Sequence, residues 1–355
     1  MKKNDFSVIQ AAEQALEDSG IVEVGRELRI GLYMAVPSVP CKSQFEQIRK
    51  SMNAAMGNGS SFDPSFFSRA LAAEARPLQN WTQLFPFRYL AEKYNIRGEF
   101  MNINVACATG TQLIQGALEN LRRNGVDAVL AAAVNTNLDP YYLNSMEKLG
   151  ALSRLNAEPQ AACRPFDAER DGFVMSEGAA AMILEKQERA ESRDTKIHAR
   201  IGGVGVSADG YHPTAPEPSG RGMILSMKKA LAAAGCEPGQ IDYINAHGTG
   251  TSLNDRLETD AIKAVFGPRA YQLLISSTKS MTGHMFTAAG MFEALFGILS
   301  CRDNLIPPTI NYRTRDPDCD LNYVVNETVN VRVDKVLSNS FGFGGQNACL
   351  VVGKY

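Results

Sequence analysis

The run Ala128-Val-Leu-Ala-Ala-Ala-Val134 carries no polar side chain. A strand that shows apolar groups on both faces has to be covered on both faces. This is the signature of a buried sheet between helical layers rather than of an antiparallel sheet with one wet side. The same grammar recurs along the chain. Residues 5–19 place Ile9, Ala12, Ala15 and Leu16 on one helical face, with Gly20 just past the end. Residues 28–34 read as a strand, as does Ala179–Glu185. Lys186–Lys196 is a charged connector, and a polar, Gly- and Ser-containing stretch near 50–65 reads as a surface excursion. In the second half Ile197–Val206, Ile241–Asn245, Leu273–Ser277 and 345–353 read as strands. Gly220–Ala234 and a segment from about Thr287 read as helices. Strands alternating with helices predict an α/β layered fold. The halves are of similar length, which hints at duplication.

The chain has 355 residues, of which 45% are hydrophobic and 21% charged, so it can bury a large core. A net charge of −2 gives no electrostatic footprint for nucleic acid. No apolar run reaches the length of a membrane span, and Met1-Lys-Lys-Asn-Asp leads into an amphipathic segment without a hydrophobic signal. Seven scattered cysteines (41, 107, 163, 236, 301, 319 and 349) show neither a CxxC pair nor metal-ligand spacing. Reduced thiols in a cytoplasmic protein, with no metal, are the expectation.

One cysteine stands apart. Met101–Cys107 reads as a short strand, and Ala108–Leu121 as a helix with Leu113, Ile114, Ala117, Leu118 and Leu121 at helical spacing. Cys107 is thereby expected at a strand-to-helix handover, where free N–H groups and the helix dipole favour a thiolate. The bland alternative is a small buried hydrophobe. Of the four histidines, His198 and His212 read as structural. His247 and His284 each close a strand-like segment inside a polar loop, Asn245-Ala-His-Gly-Thr-Gly-Thr251 and Ser276-Ser-Thr-Lys-Ser-Met-Thr-Gly-His284. Loops at the carboxyl ends of strands are where α/β proteins put their sites. A third such loop is Ser338–Asn347, whose glycines permit close backbone approach to a ligand. A thiol, two imidazoles, a lysine and a backbone loop suit attack on an acyl thioester, with N–H groups holding the oxyanion and neutral imidazoles holding an enolate.

These blocks carry a family resemblance. VACATG (105–110), RPFDAERDGFVMSEGA (164–179), INAHGTGT (244–251), SSTKSMTGH (276–284), PPTIN (307–311) and NSFGFGGQN (339–347) occur in the order of the elongating, decarboxylating β-ketoacyl-acyl-carrier-protein synthases. The resemblance implies a thiolase-like α/β fold of two similar βαβαβαββ halves, residues 1–195 and 196–355, in α/β/α/β/α layers. The first strand of the N-terminal half is expected to be absent. It implies Cys107 as nucleophile, His247 and His284 as the decarboxylation pair, and Lys279 with Glu293 ordering them. Thr249 and Thr251 would bind the phosphopantetheine arm. Backbone N–H groups of Cys107 and Phe343 would form the oxyanion hole, with Phe343 as gate and Asn347 supporting its loop. It implies no cofactor beyond the arm that enters with the carrier protein, and either a homodimer or a heterodimer with a second ketosynthase-like chain. Ala132-Ala-Val-Asn135 departs from the family's Gly-Gly-x-Glu, Gln346 stands where Thr is common, and Ser176 replaces a frequent Gly. The missing first strand and the altered 132–135 segment keep open the alternative of a non-condensing, chain-length-factor-like subunit, which the presence of Cys107 opposes. Simple acyl transfer without decarboxylation is a third reading, opposed by the histidine pair.

Overall fold

The computed structural model describes residues 3–22, 28–36, 49, 50, 53, 56 and 85–355. Most of the polar stretch near 50–65 lies outside them. The first sheet contains β1 (Ile30–Ala35), β2 (Phe100–Asn102), β3 (Ala128–Asn135) and β4 (Gly178–Glu185) in the order β2-β1-β3-β4. β1 runs parallel to β2 and β3, and β4 is antiparallel to β3. The second sheet contains β5 (Arg200–Ala208), β6 (Tyr243–Asn245), β7 (Leu274–Ser276), β10 (Lys335–Gly342) and β11 (Gln346–Gly353), in the order β5-β11-β10-β6-β7. A small antiparallel pair, β8 (Leu305–Ile306) with β9 (Val329–Asn330), forms a separate sheet. Both sheets place parallel strands beside a closing antiparallel one. Among the described residues β4 has no neighbour on its outer side, whereas β5 covers the corresponding edge of β11.

Strand periodicity explains the layers. In β3, Val129, Ala131 and Ala133 face the central core, while Ala128, Leu130, Ala132 and Val134 face the outer one. The central core lies between the sheets. It is filled by two helices, α3 (Thr109–Arg122) and α9 (Ala289–Asp303). On the outside, α1 (Lys3–Ser19) and α2 (Phe85–Tyr94) cover the first sheet, and α6 (Arg221–Ala233) and α7 (Ser252–Phe266) cover the second. The result is the expected α/β/α/β/α stack. α9 offers apolar side chains around its circumference, as a helix enclosed between two sheets must.

The two inner helices meet at glycines. A Cβ on Gly110 would lie 2.3 Å from the backbone nitrogen of Met291, and one on Gly290 would lie 2.6 Å from Thr111 Oγ1. Backbone cannot give way as a flexible side chain does. Gly110→Ala should therefore destabilise the protein by about 3 kcal/mol, the upper range for overpacking. Denaturant titration checks this, and an unchanged midpoint would contradict the close crossing.

Three local expectations need correction. The strand before Cys107 is only Phe100–Asn102, because its ladder with β1 ends at Met34↔Asn102, and among the described residues it is an edge strand. The chain then turns: Thr109 Oγ1 accepts from the Val105 N–H and donates to the Ala106 carbonyl. The charged connector contains a short helix, α5 (Gln187–Ser192), and β5 begins at Arg200, so His198 precedes that strand.

Candidate functional site

Cys107 sits in a single 3₁₀ turn, Ala106–Ala108, that feeds α3. Ala106 holds φ = +51°, a conformation that costs a non-glycine residue about 1–2 kcal/mol. This kink carries the following residue out of the strand direction and toward the second sheet. The thiol is 4% exposed, and its sulphur lies 3.1 Å from His284 Nε2.

His284 is fixed by its backbone: its N–H donates to the Val174 carbonyl at 2.7 Å, and its own carbonyl accepts from the Ser176 N–H at 3.0 Å. Phe286 stacks on the imidazole with ring centroids 4.6 Å apart, and Phe173 meets it edge-on at 5.2 Å. His247 follows β6, and its ring centroid lies 5.5 Å from that of His284. Lys279 opens the short helix α8 (Lys279–Thr282) and is buried to 1% exposure. Its Nζ lies 3.2 Å from His247 Nδ1, donates to the His247 carbonyl at 2.7 Å and pairs with Glu293 of α9.

Burial, reinforced by the Lys279 charge, holds both imidazoles well below their ordinary pKa, so both are neutral. Their tautomers follow from their partners. The ammonium of Lys279 faces Nδ1 of His247, and the Phe286 N–H faces Nδ1 of His284 at 3.4 Å. Each Nδ1 therefore accepts, and each Nε2 carries the proton. Cys107, His247 and His284 bring ligand atoms within 4.8 Å of one another. A metal-binding histidine instead donates its second N–H to an acceptor. The wiring here suits two N–H donors aimed at one carbonyl oxygen.

The expected thiolate is not the resting state. Burial pushes the Cys107 thiol up to about 11, opposed by Lys279 and by the backbone N–H groups of Phe343 and Cys107 itself. Desolvation outweighs the helix terminus because the sulphur is enclosed. Below pH 11 the thiolate fraction grows about tenfold per pH unit. Alkylation of Cys107 by iodoacetamide should therefore keep accelerating from pH 7 to pH 10. A plateau below pH 8 would refute the raised value.

The same two N–H groups converge on the sulphur because the Gly342–Phe343 segment lies against the Cys107 turn. A Cβ on Gly342 would come 3.0 Å from Cys107 N. Asn347 steadies this loop, donating to the Gly345 carbonyl at 3.2 Å and to Asp209 Oδ1 at 2.7 Å. Thr249 and Thr251 lie with their hydroxyl oxygens 2.9 Å apart. A cavity of about 280 Å³ runs past these threonines, Pro216, Leu253 and Phe343 to Cys107, His247 and His284. A larger one of about 590 Å³ follows the outer edge of β4 and contains none of these groups.

All nine residues singled out in the sequence are thus located. Cys107, His247, His284, Lys279 and Glu293 form one buried cluster, with Thr249, Thr251, Phe343 and Asn347 along its approach. His198 pairs with Asp18 at 2.9 Å, and His212 Nδ1 accepts from the Ala215 N–H at 3.0 Å, so both are structural. Sequence reasoning missed three carboxylates. Glu258 accepts from the His247 and Gly248 N–H groups, both at 2.8 Å. Asp255 accepts from the Gly250 N–H at 3.2 Å, and Asp209 holds Asn347. Acidic residues three apart, just after the histidine loop, were the available signal for the first two.

Fold and site together define a condensing enzyme of the thiolase-like class. Residues 1–190 match the family model for the β-ketoacyl synthase N-terminal domain, and residues 198–313 that for its C-terminal domain. The chain belongs to the β-ketoacyl synthase family. A 3-oxoacyl-[acyl-carrier-protein] synthase 2 of Coxiella burnetii is 39% identical over 361 residues, covering 100% of this chain and 83% of the relative. A Staphylococcus aureus protein of the same name is 44% identical over 250 residues, covering 70% of this chain and 60% of that one. A ketosynthase solved with the acyl-carrier protein of a type II polyketide synthase has a TM-score of 0.89 at 33% identity, covering 99% of this chain and 85% of its own. The ishigamide ketosynthase/chain length factor has a TM-score of 0.81 at 30% identity, covering 100% and 83%. This chain is a β-ketoacyl-acyl-carrier-protein synthase, an enzyme of fatty-acid or polyketide synthesis. Among the described residues no helix is long and apolar enough to cross a membrane.

Proposed function

We propose that Cys107 takes an acyl chain from a carrier protein and that the chain is elongated by decarboxylative condensation with a malonyl thioester. The observation that carries this reading is the pair of neutral imidazoles with Nε2–H groups beside a buried thiol. In loading, the sulphur attacks the thioester carbonyl, and its oxygen gathers charge against the Cys107 and Phe343 N–H groups. The carrier thiol leaves protonated, taking up the proton that Cys107 gives away. In condensation, His247 and His284 donate to the malonyl thioester oxygen as carbon dioxide departs, and the resulting enolate carbon attacks the acyl-cysteine. Lys279, paired with Glu293, keeps Nδ1 of His247 an acceptor and so keeps its Nε2–H aimed into the cavity. Thr249 and Thr251 bind the phosphopantetheine arm that the carrier protein brings, Phe343 gates the arm's end, and Asn347 positions that loop.

The working form is a dimer, of two copies or with a second ketosynthase-like chain. Support comes from Leu138, Tyr141, Leu143 and Leu149, exposed on one short stretch, and from exposed Phe100 on the edge strand β2. Residues 1–195 and 196–355 act as two halves, each organised around its own sheet. The test is intact-protein mass spectrometry with acyl-carrier thioesters, followed by malonyl-carrier protein. An adduct on Cys107 that disappears as elongated product forms upholds the proposal; an adduct on another residue sinks it.

A further inference from the structure

We infer that this chain selects short acyl groups, and that Tyr142 and Met146 set the limit. The inference rests on the acyl-transfer reading above. An acyl thioester held at Cys107 has two ends. The pantetheine end occupies the cavity that leads past Thr249, Thr251 and Phe343 to the surface. The acyl chain has to extend on the other side of the sulphur, and among the described residues that side is packed with side chains. Cys107 packs in one apolar cluster with Met146, Phe173, Met175 and Phe286, with Tyr142 against them. Of these wall residues only Phe173 borders the cavity. Among the described residues, Tyr142, Met146, Met175 and Phe286 pack around the thiol without bordering this cavity. At about 280 Å³ it lies at the low end for a ligand site, room for the arm but not for a long chain as well.

The wall has a fixed part and a part that can differ without touching the chemistry. Phe173 and Phe286 brace the His284 ring, and the Met175 backbone bridges to His284. Tyr142 and Met146 belong to α4 (Pro140–Lys148), outside the segments that carry the two histidines. They stand four residues apart, on one helical face turned toward the thiol. Tyr142 presses its ring edge-on against Phe286 at 5.4 Å. The helix start is tied down, since Asp139 Oδ1 accepts from the Tyr141 and Tyr142 N–H groups at 2.9 and 3.0 Å. The tyrosine ring is thus held in place, while the unbranched methionine can adjust to admit a few carbons.

The test measures Cys107 acylation rates with carrier-bound acetyl, butyryl, octanoyl and dodecanoyl groups, read by intact mass. The wild-type rate should fall at least about tenfold from butyryl to octanoyl, since rejection by a packed apolar wall is worth that much per few atoms. Tyr142→Ala and Met146→Ala should each raise the octanoyl-to-butyryl ratio about tenfold. Tyr142 is only half-buried, so its variant carries the test if Met146→Ala folds poorly in a melting scan. Dodecanoyl loading as fast as butyryl, or ratios unchanged in both variants, would overturn the length limit alone. No acylation at any length would overturn the acyl-transfer reading itself.

Discussion

Replacing Cys107 by alanine should lower acyl transfer from carrier protein by at least about 10⁴-fold while malonyl-carrier protein is still decarboxylated. The first half follows from the proposed role of Cys107 as nucleophile, whose loss leaves only binding and oxyanion stabilisation. The second follows from the geometry. Lys279 and Glu293 hold His247, and Val174, Ser176 and the Phe173 and Phe286 rings hold His284. None of these supports passes through the sulphur. The two Nε2–H groups therefore keep their positions in the cavity when the sulphur is removed. Release of carbon dioxide without elongated product, measured on the purified variant, is the expected signature. Retention of covalent acyl loading would remove Cys107 from its assigned role.

His247→Ala should show the complementary pattern: condensation down on the order of 10³-fold, with acyl loading changed much less. One preorganised donor to a developing oxyanion is worth roughly 10²–10³-fold. Losing the imidazole also leaves the buried Lys279 without its Nδ1 acceptor. His247 is the cleaner choice of the two histidines, because His284 touches the sulphur at 3.1 Å and its loss disturbs the nucleophile as well. Single-turnover loading and condensation, measured separately, distinguish these steps. Equal loss in both steps would mean that His247 supports the whole site rather than the malonyl half-reaction.

Much of this site was legible before any coordinates. Cysteine, histidine and lysine in polar loops that close apolar strands are chemically conspicuous, and the spacing of those loops is local information. What the sequence could not show was the balance of forces at the thiol. A helix terminus argues for a thiolate, yet enclosure by Met146, Phe173, Met175 and Phe286 pushes the group up to about 11. Burial is a sum over residues far apart in the chain, so no local pattern reports it. The histidine tautomers are of the same kind, set by an ammonium 32 residues away for His247 and by a backbone N–H for His284. The strand before Cys107 was placed too long for a related reason: Ile103 and Val105 look like strand residues, but the ladder with β1 closes with the Ile103 N–H on the Met34 carbonyl.

The sequence by itself determined the layering. Apolar alternation in β3 assigns one set of side chains to each core, and the all-round apolar surface of α9 obliges it to lie between sheets. It also determined which residue types are available for chemistry. Only the tertiary structure decided that a cysteine after β2, a histidine after β6, a lysine after β7 and a glutamate on α9 share one enclosed space. It also decided which apolar side chains pack against the sulphur. Periodicity is a property of neighbours along the chain, whereas electrostatics and room for a substrate depend on every atom within a few ångströms, whatever its place in the sequence.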